Sequence, residues 1–214
     1  MNDITRKAFI QQVLTDLSNL IEIHKSNGPG RNHLVKVGLF SQLITQKLGY
    51  GESFSRCMRR ASMLHDVGMV TVPDFIATKS TKLSELEFES LKNHTLIGER
   101  LLAGYDDPMF DLASEIAGGH HERFDGTGYP RGLTGNEIPL GARIVAIADV
   151  FDSLITYKEY RDPEIYIVDD AFKILSENKS SQLDPVVVDV FVNCKVEIEE
   201  ILHEIFLLGN SIEM

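Results

Sequence analysis

The chain has 214 residues and a mass of 24.0 kDa, enough for one domain with a proper core, or one domain plus a small extension. Hydrophobic residues at 43% and charged residues at 25% exclude disordered, collagen-like and fibrous chains. The net charge of −11 argues against a general nucleic-acid binder, whose affinity would rest on neutralising phosphates. Of that charge −9 falls in Asp162–Met214, where 3 basic side chains stand among 12 acidic ones, so a site for a small anion belongs in the remainder.

Apolar residues recur at helical spacing along almost the whole chain. Phe9, Val13, Leu14, Leu17, Leu20 and Ile21 form one stripe and predict a first helix. After Ser26-Asn27-Gly28-Pro29-Gly30, the positions Leu34, Val37, Phe40, Ile44 and Leu48 predict a second, ending at Gly49. Ser53 is the expected cap of a third, with Met58, Ala61 and Leu64 inward and His65-Asp66 at its end. The pattern lapses from Val67 to Lys82, which reads as a connecting loop. Ser84 and Glu87 then have capping-box spacing, opening a helix whose inward face carries Phe88, Leu91, His94, Gly98 and Leu102.

Asp107-Pro108 has the form of an N-cap followed by N1, starting a helix that runs through Ile116 to His120-His121. From Glu122 to Pro139 the chain holds Gly126, Gly128, Pro130, Gly132 and Gly135, too many breakers for a regular element. Pro139 opens the next helix, with Ile144, Ile147, Ala148, Phe151 and Ile155 along its apolar side and Asp149 within it. Two further helices are expected from Asp162-Pro163 and from Asp184-Pro185, the last reaching Leu208. No repeat and no run of strands interrupts this pattern, so the fold class is all-α. Cys57 and Cys194 both lie within apolar helical stripes and read as core thiols. With no secretory leader or bilayer-length apolar run in view, a reduced, cytoplasmic protein is expected.

Of the 7 histidines, His33, His65, His94, His120 and His121 fall on inward faces or at the ends of different predicted helices. A lone inward imidazole is usually a satisfied core residue, but five together with Asp66 and Asp149 are not explained that way. Buried carboxylates need a cation, and no Lys or Arg stands at a helical offset that serves Asp149. Divalent metal supplies that charge, and His and Asp donors without Cys suit iron, manganese or zinc. Seven such ligands exceed the need of one ion and point to two, an arrangement that activates water for phosphoryl transfer. His24 and His203 stand apart from this set and read as surface residues.

Several segments together carry a family resemblance: His65-Asp66-Val67-Gly68, His94, the run His120-His121-Glu122-Arg123-Phe124-Asp125-Gly126-Thr127-Gly128-Tyr129-Pro130, Ile138–Ile144, and Ala148-Asp149-Val150-Phe151-Asp152-Ser153-Leu154. From Arg31 to Phe191 the chain resembles the HD-GYP family. The resemblance implies a helical HD-domain bundle, with an ordered Gly/Pro-rich loop near a metal site, that hydrolyses the bacterial second messenger cyclic di-GMP to pGpG or GMP. It implies that His33, His65, Asp66 and Asp149 bind one ion, and that Asp66 bridges to a second held by His94, His120 and His121. Asp66 and His65 would then be catalytic, with a hydroxide shared by the ions attacking phosphorus in line. Tyr129 would line the substrate pocket, while Lys158 and Arg161 would meet the phosphates.

On this reading residues 1–30 are an N-terminal helix and linker, 31–192 the phosphohydrolase domain, and 193–214 an acidic helical extension. The expected cofactors are two divalent ions, iron or manganese, with zinc also allowed. Pro29 stands where members with a third metal carry Glu, which supports two ions over three. The expected partners are cyclic di-GMP and, through the apolar side of the last helix (Val196, Ile201, Ile205, Leu208), a second copy or a signalling protein. Neither DNA nor a membrane is expected. Met69 occupies the position where many members carry Lys, and a cation lost beside a scissile phosphate weakens transition-state stabilisation. That substitution sets up an alternative from another class: a catalytically weak domain acting as a nucleotide sensor or protein-interaction adaptor.

Overall fold

The structure, a computed structural model, describes Val13, Asp16 and residues 32–156 and 167–210. Val13 and Asp16 are helical, and the rest of the first expected helix lies outside the described residues. In chain order the elements are α1 (His33–Lys47), α2 (Glu52–Ser62), a 3₁₀ turn (Val67–Thr71), α3 (Asp74–Ala77), α4 (Glu85–Leu102), α5 (Pro108–Gly119), a second 3₁₀ turn (Gly135–Glu137), α6 (Leu140–Ile155), α7 (Val168–Glu177), α8 (Pro185–Val192) and α9 (Lys195–Asn210). There is no strand among the described residues, only the isolated bridges Asp125–Thr134 and Lys179–Leu183. The all-α expectation holds. No helix among them is long and apolar enough to cross a membrane.

The helix starts follow local chemistry. Ser84 accepts from the Glu87 N–H while the Glu87 carboxylate accepts from the Ser84 N–H, a reciprocal cap that satisfies two donors. Asp107 accepts from the Met109 N–H at 2.9 Å, with Pro108 in the first turn. Asp184 caps α8 through the N–H groups of Val186 and Val187 and also pairs with Arg143 of α6. The start expected at Asp162-Pro163 lies outside the described residues, α7 beginning at Val168, and two other segments differ from expectation. Gly51, rather than Ser53, is the N-cap of α2, and Ser55 returns its hydroxyl to the Gly51 carbonyl at 3.2 Å. The segment after Asp66 is not merely a loop, since its buried Val67 and Gly68 lie in a 3₁₀ turn.

α6 is the central helix: no residue from Leu140 to Ile155 is exposed, so it is apolar on more than one side. Its Gly141 lets α5 approach closely, because a Cβ there would lie 3.0 Å from side-chain atoms of Leu112 and Ile116. α1 packs on it from the other side, and the rings of Phe40, Phe151 and Phe191 meet edge to face at 5.0–5.8 Å. The chain end expected as one helix is two. Asn193 caps α8, its side chain donates to the Asp189 carbonyl, and the Cys194 N–H reaches back only to Phe191, tightening the last turn. The break buries Cys194 and Ile198 in the core and leaves Val196 outside, at 65% exposure. Ile201 and Ile205 are half-buried, as is Cys57.

Candidate metal centre and adjoining cavity

The histidines named from the sequence converge on one place, although they come from α1, the end of α2, α4 and the end of α5. His65 directs Nδ1 at the Ser62 carbonyl at 2.9 Å, His94 at Leu91 at 2.6 Å, and His120 at Ala117 at 3.1 Å. A carbonyl only accepts, so in each ring Nδ1 carries the proton and Nε2 is left as a lone-pair donor. Each is therefore oriented by its own preceding turn. The Nε2 atoms of His94 and His120 stand 3.5 Å apart. His65 Nε2 is fully buried with no hydrogen-bond partner.

Asp66 lies between these rings. Its Oδ1 is 3.3 Å from His94 Nε2 and 3.5 Å from His120 Nε2, while Oδ2 is 3.3 Å from His65 Nε2. Two sets of donors result, each with its atoms within 4.8 Å of one another: Asp66, His94, His120 and His121, and His33, His65 and Asp149. Lone pairs and carboxylates facing one another in a buried space repel unless a cation stands among them, so the donor chemistry fits divalent metal.

His33 is set by residues beyond this group. Its Nδ1 donates to Asp152 Oδ2 at 2.7 Å, leaving Nε2 3.6 Å from Asp149 Oδ1. Asp152 is 2% exposed and also pairs with the buried Lys36, whose ammonium donates to Thr156 Oγ1 at 2.8 Å. Burial pushes the Asp152 carboxyl up, but the His33 hydrogen bond and Lys36 hold it below its usual range. For Asp149 burial again acts upward, and the neighbouring His33 and His65 outweigh it, leaving the carboxyl at about 2. His121 titrates well below an ordinary imidazole because of burial and the adjoining His120. The sequence signal for Asp152 is its i+3 spacing from Asp149, which puts both carboxylates on one side of α6.

The loop from Glu122 to Pro139 is ordered by one buried carboxylate. Glu122, 3% exposed, accepts from the N–H of Arg131 at 2.7 Å and of Leu133 at 3.1 Å. Phe124 and Asp125 donate their N–H groups to the carbonyls of Gln182 and Ser181, tying the loop to the turn before α8. Gly128 is required by contact, since a Cβ would lie 2.2 Å from the Arg123 nitrogen. Tyr129, followed by a cis peptide to Pro130, stands over His121 with ring centroids 4.8 Å apart.

A cavity of about 350 Å³ opens beside the donors, lined by His120, His121, Asp149 and Tyr129 together with Phe88, Lys92 and Arg123. Burial, reinforced by the charges of Asp66 and Asp149, pushes the Tyr129 phenol up, so it remains an O–H donor at neutral pH. Phe88 is not inward as expected but 43% exposed at this cavity. Lys92, which sequence reasoning missed, stands two positions before His94 on the same helix. Met69 is half-buried and is not among the residues lining the cavity. Lys158 and Arg161 lie outside the described residues, as does His24, whereas His203 is exposed.

The model of the HD domain family matches residues 16–187. The chain is 37% identical over 193 residues to a cyclic di-GMP phosphodiesterase of Thermotoga maritima, covering 90% of this chain and 51% of that protein. It is 34% identical over 178 residues to a 3'3'-cGAMP-specific phosphodiesterase of Vibrio cholerae, covering 83% and 37%. The structure of Bd1817, an HDG"Y"P protein from Bdellovibrio bacteriovorus, superposes with a TM-score of 0.59 at 25% identity, over 75% of this chain and 50% of that one. The chain thus spans about half the length of the first-named relative.

Proposed function

Because this chain belongs to the HD domain family, and within it to the HD-GYP branch, we propose that it is a metal-dependent phosphodiesterase that hydrolyses cyclic di-GMP to pGpG or GMP. The observation that carries this reading is the placing of two donor sets on opposite oxygens of Asp66, at the wall of a cavity. His33, His65 and Asp149 would hold one divalent ion and His94, His120 and His121 another, with Asp66 serving both. Bound there, the two ions supply Lewis acidity and an activated water at neutral pH. A donor set of imidazole and carboxylate without thiolate accepts iron, manganese or zinc, and we assign iron or manganese on the family resemblance.

The protein's own groups perform the remaining work. The Nδ1–H bonds to backbone carbonyls hold the rings so that no rotamer freedom is lost when ligands are engaged. Tyr129 offers a phenolic donor and an aromatic face to the substrate. Lys158 and Arg161, following α6, are assigned to the phosphates. Residues 31–192 carry this chemistry, with 193–214 as an extension. Relatives named for cyclic di-GMP and for 3'3'-cGAMP support a cyclic dinucleotide as the substrate class. We assign the protein to the cytoplasm, where its free Cys57 and Cys194 stay reduced. A second copy is assigned to the apolar side of α9 that carries the exposed Val196 and the half-buried Ile201 and Ile205; light scattering that gives a monomer mass would remove that part.

The deciding experiment incubates cyclic di-GMP with protein reconstituted anaerobically with iron or manganese, beside a His65→Ala/Asp66→Ala double variant. Metal-dependent pGpG or GMP above that blank is expected. Intact substrate despite two bound metals would overturn the reading.

A further inference from the structure

One wall of the cavity carries groups that metal ligation does not use. Phe88, in the first turn of α4, keeps 43% of its surface exposed, yet its ring meets Tyr129 edge to face at 5.9 Å. One turn further along, Lys92 holds its ammonium 5.3 Å from the centroid of Phe88 and 5.9 Å from that of Tyr129. An aromatic ring, a phenol and a cation therefore stand together at the edge of a space that also reaches His121 and Asp149.

The two basic side chains along this cavity differ in what they can offer. Arg123 is held within its own loop, donating to Thr127 Oγ1 at 2.9 Å and to Asp125 Oδ2 at 3.3 Å. Lys92 pairs with Glu89 at 2.6 Å, but that carboxylate is 66% exposed on the same helix, and such a surface pair is weak. An ammonium has three donors and no acceptor, so Lys92 has donors to present to a ligand beside the rings.

We propose that Phe88, Tyr129 and Lys92 form a subsite for one purine of the substrate and that Lys92 makes it selective for guanine. The base stacks on the exposed face of Phe88, an interaction open to any base because every base has a π-face. Lys92 donates to O6 and N7 on the guanine edge, which presents two acceptors. Adenine presents N7 beside an N6 amino donor, so one contact is lost and two donors face each other. The inference rests on the cyclic dinucleotide reading above and names the part of the site that chooses the base.

The test titrates metal-loaded protein calorimetrically with cyclic di-GMP, 3'3'-cGAMP and cyclic di-AMP, and follows KM and kcat for those that are hydrolysed. Wild type is expected to bind cyclic di-GMP and 3'3'-cGAMP within about twofold of each other, since either can place a guanine in a single subsite, and both more tightly than cyclic di-AMP. Phe88→Ala should weaken all three by about tenfold, the cost of losing one stacked base. Lys92→Met should weaken cyclic di-GMP by about tenfold, chiefly in KM, and leave cyclic di-AMP within twofold, so that the preference collapses. Lys92→Arg should restore it, since a guanidinium satisfies the same two acceptors. Cyclic di-GMP affinity within twofold of wild type in both Phe88→Ala and Lys92→Met, or an unchanged guanine preference in Lys92→Met, would overturn the subsite while leaving the enzymatic reading intact. Wild-type protein that hydrolyses bis(p-nitrophenyl) phosphate but binds none of the three cyclic dinucleotides would overturn both.

Discussion

The buried carboxylate of Asp152 accepts a 2.7 Å hydrogen bond from His33 Nδ1, across 119 positions of sequence, and thereby turns the other ring nitrogen of His33 towards Asp149. The same carboxylate neutralises Lys36, which is only 8% exposed. One side chain thus orients the His33 ring and supports a buried cation.

Replacing it should separate these roles. Asp152→Asn keeps the volume but removes the charge, so metal affinity at the His33 set is expected to fall by about 10- to 100-fold. Lys36 is left without its carboxylate, and stability should fall by about 3 kcal/mol. Titration with manganese and urea denaturation read the two effects independently. Unchanged manganese affinity would show that the His33 ring keeps its orientation without Asp152.

Gly68 lets the turn after Asp66 press against α4. A Cβ there would lie 2.0 Å from the His94 carbonyl oxygen and 2.7 Å from the Gly98 nitrogen, and both atoms belong to backbone that cannot swing aside. Gly68→Ala should destabilise the fold by about 1–3 kcal/mol or more and move Asp66 relative to His94. Metal content after dialysis, measured beside the urea midpoint, checks both; a variant with full metal content and wild-type stability would contradict the close contact.

Glu122 holds the glycine-rich loop through the N–H groups of Arg131 and Leu133. Glu122→Gln sets an amide NH₂ against one of those donors, at an expected cost of about 1–3 kcal/mol for the buried mismatch. Amide hydrogen exchange at positions 131 and 133 should accelerate, and KM for cyclic di-GMP should rise because Tyr129 is carried by the same loop. Exchange at the wild-type rate would assign the loop's order to other contacts.

The capping box of α4 gives a pH signature away from the metal donors. Lys79 and the Ser84 backbone N–H hold the Glu87 carboxyl down at about 2, against 4.5 for an ordinary glutamate. A carboxyl lowered on folding contributes its stability in full above its unfolded value and loses it as pH falls through the folded one. The difference in melting temperature between wild type and Glu87→Gln should therefore be constant above about pH 5 and shrink from there towards pH 2. A difference that does not narrow over that interval would mean that the Lys79 and Ser84 contacts do not persist in solution.

Local chemistry was legible in the sequence wherever the determining atoms are near neighbours. The Ser84–Glu87 box, the Asp107-Pro108 cap and the breakers from Gly126 to Gly135 act within a few residues, and each appears where the residues predict it. The gathering of His33, His65, Asp66, His94, His120, His121 and Asp149 was legible as well, because so many imidazoles and carboxylates on inward helical faces are not explained one by one as core residues.

Tertiary structure alone decided which faces meet. Periodicity put Phe88 on the same stripe as His94, yet at the start of α4 that stripe faces the cavity and not the core, so Phe88 is exposed. The apolar run after Pro185 continues as a pattern, but the chain breaks at Asn193, and Cys194 and Ile198 are buried in the core beyond that break. Asp152 became a partner of His33 only because α1 packs on α6. A helical stripe specifies a direction around its own axis, whereas the residues it meets are set by packing between segments more than a hundred positions apart.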